Sequence, residues 1–101
     1  MLKQRRGKVN KMATVSNHLI PSEWAMSRKA QSHTGNYWTD GSKLYSYNLC
    51  IGETMPNGDK LLHDFTAGGV EYFSQTTSCH VGKARQYADL IRDKYQIVRV
   101  R

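Results

Sequence analysis

Lys3, Arg5, Arg6, Lys8 and Lys11 put five cations into the first eleven residues, with no carboxylate among them. A cluster of this kind neutralises several backbone phosphates and gives salt-sensitive, sequence-blind affinity through counterion release. Arg28, Lys29 and Lys43 extend the patch, and Tyr37 and Trp38 supply rings of the kind that stack on unpaired bases. Together these residues form the candidate nucleic-acid-binding set. The plainer alternative is a solubilising tail for the cations and a covered core edge for the two aromatics.

Cys50, His63, Cys79 and His80 are the right ligand types for zinc, but no Cys-x-x-Cys or spaced His pair occurs. Cys79 and His80 are adjacent, and neighbours on a helix point about 100° apart, which disfavours both a shared ion and a Cys–His nucleophile. His63, His80 and Lys60 or Lys83 carry the groups for acid–base work in a small nuclease, yet no spacing joins them. Gly82-Lys83 lacks the earlier glycine of a phosphate loop. The expectation is therefore no catalytic residue, no metal and no cofactor.

The 101 residues suffice for one small domain. Apolar residues make up 39% and charged residues 23%, and no apolar run approaches the roughly 18–20 residues of a membrane helix. The formal charge of +7 is uneven. Residues 1–43 hold eight cations against two carboxylates, whereas residues 44–101 hold seven against six. Such a bias favours an acidic partner. Two cysteines make no disulfide framework, and the basic N-terminus has no apolar signal segment, so a reducing cytoplasm is expected.

These residues need elements to hold them. Residues 1–17 are too polar to repay the entropy of ordering and read as a flexible basic arm, with a single domain over 18–101. Pro21, Ser22 and Glu23 predict a short helix over about 22–31. Asp40-Gly41 flanked by Tyr37-Trp38 and Lys43–Ile51 predicts a hairpin. Pro56 and Asn57-Gly58 predict a turn into a third strand over 60–66, and Gly68-Gly69 a return strand over 70–76. Val81, Ala84, Ala88, Ile91 and Tyr95 share helical spacing, which predicts a long helix over about 79–95 before a terminal edge strand. The fold class expected is thus α+β, an antiparallel sheet of three to five strands packed on one C-terminal helix.

Alternation in the expected 60–76 hairpin puts Leu61, His63, Phe65, Val70, Tyr72 and Ser74 toward the helix, joined by Tyr45, Tyr47, Leu49 and Ile51. The uncovered face then carries Leu62, Asp64, Glu71, Phe73 and Gln75, with Ser46 and Asn48 beside them and Lys60 its one cation. Asp64, Glu71 and Phe73 on that face define an alternative docking surface for a protein partner.

Three antiparallel strands and a helix resemble in layout the plant AP2 domain and the arm-binding domains of phage integrases, which implies DNA binding. The runs Thr39–Asn48 and Thr76–Val81 are similar in style to short uncharacterised accessory proteins of tailed bacteriophages and archaeal viruses, over about 36–90. That likeness implies a phage-encoded accessory protein acting in the cytoplasm of an infected cell. The leading functional expectation is a non-enzymatic binder of nucleic acid, or of a nucleic-acid-processing complex. A protein-binding inhibitor or modulator of a host enzyme is the alternative, and a small nuclease the third.

Overall fold

The computed structural model describes residues 12–66 and 69–101. They form one eight-stranded sheet whose strands lie side by side in chain order. The strands are β1 (Ala13–Thr14), β2 (Lys29–Gln31), β3 (Tyr37–Asp40), β4 (Leu44–Ser46), β5 (Leu49–Thr54), β6 (Lys60–His63), β7 (Leu90–Arg92) and β8 (Ile97–Arg99). Neighbouring pairs run antiparallel except β1–β2 and β6–β7, which are parallel. A parallel pair needs a crossover. The two crossovers carry the helices α1 (Ile20–Ala25) and α2 (Gln75–Ala84).

Both helices lie on one face of the sheet. Ala30, Thr39, Leu44, Gly52 and Leu62 pair side by side across β2 to β6 and are all buried. Trp24 from α1 and Val81 and Ala84 from α2 close over this face, with Ile20, Tyr37 and Ile51 completing the core. Gly52 is needed there, because a Cβ would stand 2.8 Å from Cζ2 of Trp24.

This mostly-sheet architecture corrects the expected three to five strands under a long C-terminal helix. The helical stripe breaks after Ala84: Arg85–Tyr87 tighten into a 3-10 turn and Ala88 is extended. The cause is a non-local clasp, in which the Asp89 backbone N–H donates to the Lys60 carbonyl at 2.8 Å and the Asp89 carboxylate accepts from the Lys60 backbone N–H at 2.8 Å. Those bonds start the β6–β7 ladder, so Ile91 is a strand residue and Tyr95 is exposed. The expected return strand over 70–76 does not form either. Ser74 caps α2 instead, its hydroxyl accepting from the Thr77 backbone N–H at 3.1 Å.

Other boundaries move for local reasons. The expected helix over 22–31 stops at Ala25 and ends in a left-handed Ser27 (φ 58°), with Ser27 N–H bonded to the Trp24 carbonyl and Arg28 N–H to that of Glu23. The single strand expected over 43–51 is two strands, β4 and β5, joined by a tight turn at Tyr47-Asn48. Hairpins form at both expected places, but their loops are Gly41-Ser42, closed by the Asp40 N–H bonded to the Lys43 carbonyl, and Pro56-Asn57-Gly58, closed by the Met55 N–H bonded to the Asp59 carbonyl, with Gly41 at φ 101° and Gly58 at φ 94°. A terminal edge strand is present as β8. Of the span read as an arm, residues 1–11 lie outside the described residues, while Ala13 and Thr14 pair with β2.

Candidate nucleic-acid interface

Alternation along β2, β3 and β4 turns Gln31, Trp38 and Tyr45 away from the helices, and these three lie side by side across the strands. The Trp38 and Tyr45 rings stack at 4.1 Å with 10° between their planes. Lys29 stands two residues from Gln31 on the same side of β2, and Lys43 leads into β4; both are exposed and, among the described residues, make no ion pair. Between them, Asp40 is occupied by its own turn, accepting from the Ser42 and Lys43 backbone N–H groups at 2.9 and 2.7 Å. Partial burial raises the Asp40 pKa, but those two hydrogen bonds and the Lys43 charge outweigh it and hold the carboxyl below its usual range. The result is a stacked aromatic pair on an open sheet face flanked by two free ammonium groups.

Of the sequence candidates, Lys29, Trp38 and Lys43 therefore share this face. Arg28 is engaged elsewhere, its guanidinium forked onto Glu23 at 2.9 and 3.2 Å. Tyr37 points the opposite way: it is buried, its hydroxyl donates to the His80 carbonyl at 2.8 Å, and its ring stacks on the His80 imidazole. Lys3, Arg5, Arg6, Lys8 and Lys11 lie outside the described residues. Tyr45, expected in the core, is instead half of the surface stack.

The protein-partner set is distributed along the connection between β6 and α2 rather than on a sheet face. Asp64 accepts from Thr66 and Arg85, Glu71 is exposed, and Phe73 sets its edge against Phe65 at 5.2 Å while remaining half-exposed. Ser46 and Lys60, expected on the uncovered face, are buried on the helix side. Lys60 threads under Trp24, donating to Ser27 Oγ at 3.0 Å and Thr54 Oγ1 at 2.6 Å.

The groups considered for catalysis and metal binding fall apart. His80 lies in the core, its Nδ1 2.8 Å from Ser46 Oγ, which also contacts Thr77 Oγ1 at 3.0 Å. Burial, and then the Lys83 charge, lower the His80 pKa to about 4, too far below neutrality for an effective general base, and Ser46 is sealed from solvent. His63 is on the other side of the sheet, its Nε2–H donating to Glu53 at 2.7 Å while its Nδ1 accepts from Arg92 at 2.8 Å. These two partners together require the neutral ring. Burial depresses the pKa of His63 and Arg92 adds to this, against the opposing pull of Glu53. Cys50 donates to the Gly52 carbonyl, and burial followed by Glu53 pushes its thiol up, which keeps it protonated. Among the described residues, no three His, Cys, Asp or Glu side chains gather at ligating distance.

Sequence reasoning missed the turn at Tyr47-Asn48. Tyr47 holds φ 57°, a left-handed conformation that costs an L-residue with a bulky side chain about 1–2 kcal/mol. Two bonds hold it there: its N–H donates to the Asn36 carbonyl at 2.8 Å, and its carbonyl accepts from the Trp38 indole at 2.8 Å. A cleft opens on each side. One, of about 490 Å3, runs between Tyr47 and Phe73 over Leu49, Ser74, Thr76 and Thr77. The other, of about 380 Å3, is lined by Thr34, Gly35, Asn36, Trp38, Tyr47 and Asn48. Counted outward from Asp40-Gly41, Trp38 falls opposite Lys43, which shares a face with Tyr45, so the face of the Trp38–Tyr45 pair was legible but the pair was not; the Tyr47 turn gave no signal, since tyrosine is a poor residue for it.

Among the described residues, no helix is long and apolar enough to cross a membrane. No family model, no curated protein and no solved structure matches the chain.

Proposed function

We propose that the protein is a non-enzymatic accessory protein that binds single-stranded nucleic acid. The uncovered sheet face supplies base stacking and the basic N-terminal segment supplies phosphate neutralisation. The observation that carries this reading is the Trp38–Tyr45 stack between Lys29 and Lys43 on a face that neither helix covers. An open aromatic platform beside cations is the arrangement single-strand binders use, and base–aromatic stacking contributes about 1–3 kcal/mol per base. Charge distribution supports the same division of labour. Residues 12–101 hold ten cations against eight carboxylates, so five of the seven net charges belong to the first eleven residues. Four of the eight carboxylates, Glu23, Asp59, Asp64 and Asp89, are ion-paired with arginines.

Fluorescence anisotropy with a labelled single-stranded 12-mer and its duplex tests the reading. Single strands bind more tightly than the duplex, Trp38→Ala weakens single-strand binding about tenfold or more, and Lys29→Gln and Lys43→Gln each lower the salt slope by about 0.7. Absence of binding at low salt, or an unchanged Trp38→Ala variant, overturns it. A degraded probe points to the nuclease reading instead.

A further inference from the structure

We propose that the two clefts beside the Tyr47-Asn48 turn are base pockets, each taking one neutral nucleobase, with the turn as the wedge between them. The base identity rests on the single-strand reading above; the existence of a neutral ligand site rests on the clefts themselves. Their linings contain no Lys, Arg, Asp or Glu. A phosphate, a carboxylate or an ammonium group would therefore meet no counter-charge in either one, so nothing in the linings selects it over a neutral group. Flat apolar walls and uncharged donors and acceptors remain. Tyr47 and Phe73, 50% and 49% exposed, stand over the larger cleft, and Trp38 walls the smaller.

The polar groups match base edges rather than chain ends. Asn side chains pair a donor with an acceptor and read adenine-type edges in two-bond contacts. Asn48 lines both clefts, and its amide makes no hydrogen bond among the described residues. Asn36 lines the smaller cleft, its Oδ1 accepting from Thr34 at 2.7 Å and its NH2 facing no acceptor among the described residues. Both volumes fall within the roughly 300–1,000 Å3 range of small-ligand clefts. The strained backbone of Tyr47 is the second observation. Glycine would satisfy the turn without cost, so a tyrosine held at φ 57° by bonds to Asn36 and Trp38 serves something other than the turn. The indole that stacks on Tyr45 is also the wall of the smaller cleft, which makes that cleft continuous with the stacking face.

The test is an NMR titration of the full chain with adenosine, and separately with glucose, following the side-chain amides of Asn36 and Asn48 and the Trp38 indole N–H. Adenosine gives saturable shifts at all three, with an affinity that does not change with salt, because an uncharged lining releases no counterions. Tyr47→Gly removes the ring while easing the backbone, so it stays folded and loses at least about tenfold in adenosine affinity; Tyr47→Phe binds like the parent. No shift with adenosine at millimolar concentration, glucose binding in its place, or a Tyr47→Gly variant that binds as tightly as the parent overturns the proposal. Oligonucleotide binding without adenosine binding overturns the pockets and leaves the stacking face standing. Adenosine binding without oligonucleotide binding leaves the pockets and overturns the single-strand reading.

Discussion

The indole Nε1 of Trp38 donates to the carbonyl oxygen of Tyr47 at 2.8 Å, so the residue that anchors the stacking face also holds the strained turn in place. Trp38→Phe keeps a ring against Tyr45 and deletes this bond. Stability should fall by about 1 kcal/mol, the usual contribution of one such hydrogen bond, while single-strand affinity stays within a few-fold. Urea melts and anisotropy titrations on the same preparation separate the two effects.

Gly52→Ala tests the packing that carries the sheet. The added Cβ would stand 2.8 Å from Cζ2 of Trp24 and 3.1 Å from Cβ of Leu44, both buried. Overpacking of this order costs about 1–3 kcal/mol. The urea midpoint should drop accordingly, with an unchanged slope.

Two histidines make the fold acid-sensitive. Folding lowers the His80 pKa from an ordinary 6.5 to about 4, and it lowers that of His63 as well. An unfolded chain therefore binds these protons first. The stability from His80 is complete above pH 6.5 and is lost as pH falls through about 4, by roughly 3 kcal/mol in all. Urea midpoints measured from pH 7.5 to 4 should decline over that window. His80→Asn, which keeps a polar group near Ser46 but cannot titrate, should flatten the decline.

Lys60 gives the opposite end of the profile. Burial depresses its pKa, against a smaller opposing pull from Asp89. Below the folded pKa the buried ammonium weakens the fold, and stability rises as pH climbs from there to the ordinary 10.5. Lys60→Met should abolish that alkaline rise while leaving stability at pH 7 within about 1–2 kcal/mol of the parent.

What the sequence made legible was local chemistry. Asp40-Gly41 and Asn57-Gly58 announce hairpins because a short polar loop with a glycine at positive φ sets the turn, and Gly41 and Gly58 both take that conformation. Lys29, Trp38 and Lys43 are legible as candidates by residue type alone. The illegible parts were non-local. Ala88, Ile91 and Tyr95 fit a helical period that the Lys60–Asp89 clasp overrides, and Lys29–Gln31 carries no strand signal of its own. Tyr45 shares a face with Leu49 and Ile51 only if the strand runs straight through Tyr47 and Asn48. In the structure that strand turns at Tyr47-Asn48, and β5 carries an extra residue at Ile51 between the Leu44–Gly52 and Tyr45–Cys50 pairs. A one-residue error in register exchanges the faces, and with them the site.

If the protein binds as proposed, the sheet face bearing Trp38 meets the bases of a single strand. The chain has two tryptophans, of which Trp24 is sealed in the core, so any ligand-dependent change in indole fluorescence reports Trp38. Titrating the full chain with an unlabelled single-stranded oligonucleotide at low salt should quench this emission saturably, and Trp38→Phe should remove the response while binding persists by anisotropy. Binding with unquenched tryptophan fluorescence would show that the strand does not lie on the Trp38 face.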